Sequence, residues 1–323
     1  MDHREHGDHA AVQDAEWRSR VRESARADVR AMLRATRRRK AERWLVTATV
    51  LVAIVAVLML LVGVGMFDRD HPSAQPGPAA PDAIAGQVYD PAAPFARTPA
   101  ATWADGADGI TAPTPMQVGE YSAEEVAAAT DLVRRALIAS RLDRDLLVGH
   151  DPAGYLGLLA EDARKQLAPL FGSGLEPQAQ ALVSLIAPDN PLLAAEPKVT
   201  GSMTVEAGGP NQLIIHTNYL FAYAFQPDDP AAVADPMDVI VLVRAEVDYM
   251  VLKGPRWTEG SQGLWYGHVG GFGYSIACDW YKKGFLAPAI RDRSASHVPH
   301  PRQERAAYFD PKADLPAESG CPA

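Results

Sequence analysis

The chain has 323 residues, 47% of them hydrophobic and 22% charged, with a formal net charge of −9. That length admits one or two domains, and the acidic balance excludes a protein that grips nucleic acid by its phosphates. The charge is segregated: residues 1–43 carry 12 basic and 8 acidic side chains, a net of +4, so the remainder holds −13, which predicts two different surroundings for the two parts.

Residues 15–43 contain neither proline nor glycine and read as helix, with arginines at Arg18, Arg22, Arg26, Arg30, Arg34 and Arg38. A spacing of four drifts slowly around a helix. Such a basic strip is suited to anionic lipid headgroups or a partner protein, and equally to a solvated helix leading into an apolar one. Residues 44–67, WLVTATVLVAIVAVLMLLVGVGMF, are 24 in number and uncharged. A helix of that length reaches about 36 Å, enough to cross a hydrocarbon core of about 30 Å. The run is longer than a signal-peptide core, and no clear small-residue cleavage site lies beyond it. A retained anchor is therefore expected. The arginines of RATRRRKAER (34–43) abut its N-terminal end, so the positive-inside rule keeps residues 1–43 in the cytoplasm and exports the rest. The expected location is the plasma membrane, crossed once, with lipid contacting 44–67.

Residues 68–118 hold nine prolines, which remove backbone donors and disfavour helix, and so read as an extended linker. The folded domain is expected over 119–288, with a C-terminal tail at 289–323. Ser122 and Glu125 form a capping box at the head of a helix whose inward face is Val126, Ala129, Val133, Leu137 and Ser140. A second helix is predicted from Asp151-Pro152, with Tyr155, Leu156, Leu159, Ala163 and Leu167 inward, and a short third over 178–186. The period then changes to two. Strands are predicted over 198–207, 211–225, 238–252 and 263–278, with short connections that make an antiparallel meander. The inward residues run Leu213 to Phe225 at odd positions, Val239 to Val251 at odd positions, and Leu264, Tyr266, Phe272, Tyr274 and Ile276. The predicted class is α+β: two or three helices on one face of a bent four-stranded sheet.

This order of elements resembles the NTF2-like (cystatin-like) fold. With a short basic segment, one anchor and a linker ahead of it, the chain is similar to two groups of bacterial single-pass proteins. One is the bitopic assembly subunits of type IV secretion and conjugation machines; the other is the Mce-associated membrane proteins of actinobacteria. The likeness lies in architecture and carries no residue signature.

The stretch LWYGHVGGFGYSIACDWY at 264–281 is rich in glycine, yet it lacks the third glycine of a dinucleotide loop, and no G-K-[ST] occurs in the chain. Its glycines read as a bulge or bend in a strand. Cys278 and Cys321 are the only cysteines, and outside the membrane that parity predicts a disulfide. His268, with Tyr219, Tyr249 and Tyr266, would line any pocket on the inner face, although a core histidine with one hydrogen-bond partner is the plainer reading. His297 and His300 read as a loop, since no cysteine or acid stands near them for a metal. No catalytic constellation, metal site or cofactor is expected. The expected function is a non-enzymatic, membrane-anchored extracytoplasmic binding or scaffold protein of an envelope-spanning secretion, uptake or conjugation complex. Its partners would be other membrane or envelope proteins, with a second copy of the chain as a further candidate. The rival is a pocket that binds or transforms a small apolar ligand.

Overall fold

The computed structural model describes residues 89–291, 305–316 and 321. The cytoplasmic segment with its six arginines, the anchor at 44–67, most of the linker, and His297 and His300 lie outside them. Among the described residues no helix is long and apolar enough to cross a membrane.

The longest helix, α1 (Ala123–Arg141), begins as its sequence predicts. Ser122 Oγ accepts from the Glu125 amide at 3.2 Å and Glu125 Oε2 accepts from the Ser122 amide at 2.8 Å, so two orphan donors are satisfied reciprocally. Val126, Ala129, Val133, Leu137 and Ser140 are buried. After a single turn, α2 (Arg144–Leu147), the predicted second helix divides into α3 (Ala153–Leu156) and α4 (Glu161–Leu167). The cause of the break is tertiary. The Ala160 amide donates to Leu264 O at 2.8 Å, taking a bond that a continuous helix would have kept for itself. All five residues of the predicted inward face are buried nonetheless. The third helix does not form. Residues 179–187 run outward from one 3₁₀ turn, and the amides of Ser184 and Ile186 donate to Ser140 O and Leu147 O.

The sheet is antiparallel in the order β1 (Ala104–Asp105), β2 (Lys198–Ala207), β3 (Gln212–Ala224), β4 (Ile240–Leu252) and β5 (Gly263–Tyr274). It thus has five strands where the alternation pattern predicts four, and the addition comes from the Pro-rich segment. Residues 89–118 fold onto the sheet. Tyr89, Phe95, Ala100 and Ile110 are buried, and Arg134 on α1 holds the segment by donating to Ile110 O and Ala107 O. Proline bars a helix interior but fits the first position of a 3₁₀ turn, as Pro99 does here.

A bulge between β4 and β5 changes which residues face inward. Val247 pairs with Val269 and Tyr249 with Tyr266, so Asp248 is opposed by both Gly267 and His268. One extra residue reverses the alternation of everything beyond it. Leu264 and Tyr266 face the inner core as predicted. Phe272 and Tyr274, predicted to do the same, pair instead with Arg244 and Leu242 and lie on the outer face. The inner positions fall to Gly271 and Gly273, where a Cβ would stand 3.1 Å from Arg244 O and 3.2 Å from the Tyr281 ring.

The sheet is covered on both sides. Against its inner face α1 and the turns after it bury Leu213, Ile215, Tyr219, Phe221, Tyr223 and Tyr249. A second, outer core gathers Tyr89, Phe95, Ile240, Leu242, Tyr274 and Phe309. This double burial explains why β3 ends and β4 begins in continuous apolar runs. Cys278, in the turn α5 (Cys278–Tyr281), is bonded to Cys321, as the cysteine count predicts.

Candidate functional site

The four residues that the sequence would gather around a pocket are separated. Tyr219 and Tyr249 are fully buried core side chains, Tyr266 is half-buried, and His268 stands exposed on the bulge. His268 owes its position to the reversal of register, a feature that the period-two pattern cannot reveal.

The interior does contain a polar centre that sequence reasoning does not single out. Arg141, at the end of α1, is 1% exposed. It donates to Gln180 O at 3.3 Å, to Ser184 Oγ at 3.1 Å and to Ala181 O. Tyr223 Oη donates to Arg141 O at 2.9 Å and lies 3.0 Å from Ser184 Oγ. Burial lowers the pKa of Arg141, opposed by the nearby Tyr223 and Tyr249, and burial pushes Tyr223 up to about 12. A signal for it exists in the sequence: Arg141 lies four residues beyond Leu137, on the buried face of α1. Its partners are loop carbonyls and a hydroxyl, which fix residues 180–184 against the helix.

The outer face carries the second polar group, and it is better placed to meet another molecule. His216 on β3 is held between Asp248 on β4, at 2.6 Å from Nδ1, and Glu206 on β2, at 3.1 Å from Nε2. Burial works against the imidazolium, but hydrogen bonds to Asp248 and Glu206 outweigh it and raise the pKa above 6.5. Two residues along β3, Asn218 Nδ2 donates to Pro311 O at 2.8 Å. Arg244 on β4 donates to Ala313 O and pairs with Glu246 Oε1 at 2.5 Å. Residues 311–315 therefore cross the outer face as a strap. Between strap and sheet lies a cleft of about 310 Å³, with Thr200, Ser202, Asn218, Arg244 and Glu246 in its floor. Upstream the strap is anchored by Phe309 in the outer core and by Tyr308, stacked 4.6 Å from Tyr274. Downstream it leads to Cys321 and the disulfide.

Among the described residues no group of three or more His, Cys, Asp or Glu side chains could hold a metal ion. No protein-family model, no curated protein and no solved structure matches the chain.

Proposed function

We propose that the chain is a membrane-anchored, non-enzymatic binding or scaffold protein, with its folded domain outside the plasma membrane and residues 1–43 in the cytoplasm. It would act in an envelope-spanning secretion, uptake or conjugation complex, in the manner of the bitopic subunits and Mce-associated proteins that its architecture resembles. The observation that carries this reading is the Cys278–Cys321 bond. Disulfides persist in oxidising compartments and are rare in the cytosol, so the bond agrees with export of everything beyond the uncharged stretch at 44–67. Full burial of Tyr219 and Tyr249 favours a binding surface over the rival small-ligand pocket, because those rings are core packing and not pocket wall. The basic strip from Arg18 to Arg38 would lie on anionic headgroups or meet a cytoplasmic partner.

Alkylation of the protein in its native membranes without reductant, with mass spectrometry of the product, tests the reading. The expected product carries no label until the bond is reduced and two labels afterwards. Two labelled thiols in unreduced protein would remove its support.

A further inference from the structure

We propose that the outer face of the sheet is a docking surface for an extended polypeptide segment of a partner protein, and that residues 311–315 occupy it in cis as a stand-in. This rests on the reading of the chain as a binding protein and names the surface and the chemistry of what it binds. The floor holds the strap through main-chain atoms: Asn218 donates to Pro311 O and Arg244 to Ala313 O. Carbonyls two residues apart point the same way along an extended chain. Two donors on neighbouring strands thus read a backbone spacing that any extended segment presents, with little regard for its side chains.

The strap is an incomplete fit. Arg244 is 3% exposed, yet its Nε has no partner, and Asn218 Oδ1 is buried without one. The orientation of the Asn218 amide is fixed, because Pro311 O can only accept and must face the nitrogen. One donor and one acceptor are therefore left unmet beneath the strap, a cost that a better-matched segment would remove. The charges in the site balance, Arg244 and Lys312 against Glu246 and Asp314, so a segment without strong net charge fits it. The upstream contacts add a preference for an aromatic residue, since Tyr308 and Phe309 seat the strap on Tyr274 and Trp103. The disulfide keeps the strap at high local concentration, which disfavours exchange until a competing segment binds more tightly or the tether is cut.

The test uses the full chain in detergent and a fluorescent synthetic peptide of residues 306–316 as probe, read by anisotropy. A strap-loosened variant, Cys278→Ser/Cys321→Ser/Phe309→Ala, is expected to bind the probe at least ~10-fold more tightly than the tethered chain, because the competing cis segment is weakened. Adding Asn218→Asp, which replaces the donor facing the carbonyl with an acceptor, is expected to abolish the gain. Circular dichroism identifies any variant that has unfolded; in that case the wild-type chain with its disulfide reduced is titrated instead and must show tighter binding. Equal affinity in tethered and loosened chains, or binding indifferent to Asn218→Asp, overturns the proposal. A loosened chain that dimerises and excludes the probe also overturns it, and assigns the surface to a second copy. Labelled thiols in unreduced membranes would remove the export reading and leave this titration intact, so the two failures are distinguishable.

Discussion

His216 is clasped by two carboxylates on the outer face, and the clasp has a pH signature. Its folded pKa lies above 6.5, so its contribution to stability is fully present below the unfolded value and is lost as pH rises through the folded one. His216→Asn is therefore expected to destabilise the protein at acid pH and to cost progressively less in alkali. Urea denaturation on both sides of neutrality checks this, and a pH-independent difference would contradict it. The imidazole is partly exposed, so screening keeps the effect modest. Arg141 offers a contrast, being buried among carbonyls and hydroxyls. Arg141→Met keeps most of the volume but leaves Gln180 O and Ala181 O without this donor. The expected loss of stability in urea unfolding is about 1–3 kcal/mol. A variant as stable as wild type would mean that water replaces the guanidinium there.

At the scale of elements, the Ser122–Glu125 box and the bulge make opposite kinds of prediction. Ser122→Ala removes one cap acceptor and should cost ~1 kcal/mol in thermal or urea unfolding, with the fold unchanged. Deleting His268 alone should be far worse. Without the extra residue, Leu264 and Tyr266 would turn outward or Phe272 and Tyr274 inward, and the expected result is loss of soluble, protease-resistant protein. These two features also mark what is legible in the sequence. Capping chemistry is local, so a handful of residues suffices to place the start of α1. The paired strands emerge from alternation and turn residues, and three of the four predicted strands differ from the observed ones by only a few residues. The bulge, the break at Ala160 and the short strand β1 depend on partners distant in sequence. The Leu264 carbonyl competes for an amide 104 positions earlier, and no local pattern reports that. The same holds for the cleft, whose floor comes from three strands and whose roof comes from the tail. Alternation turns Arg244 away from the inner core, but it does not say that a strap lies over the guanidinium.

For the whole molecule, the disulfide links the turn after β5 to the far end of the chain, across 43 positions. Closing a loop of that size is worth ~4 kcal/mol in the chain-entropy account. Cys278→Ser/Cys321→Ser should lower the unfolding free energy by up to that amount, most visibly as a lower denaturation midpoint. The bond also ties function to compartment, since the covered outer face, its strap and its release all presuppose oxidising surroundings. The most direct measurement adds protease to intact cells and then detects a C-terminal epitope beside a cytoplasmic control. The expected result is that the epitope is lost from intact cells while the control survives. An epitope that persists until the cells are permeabilised would contradict export of the domain.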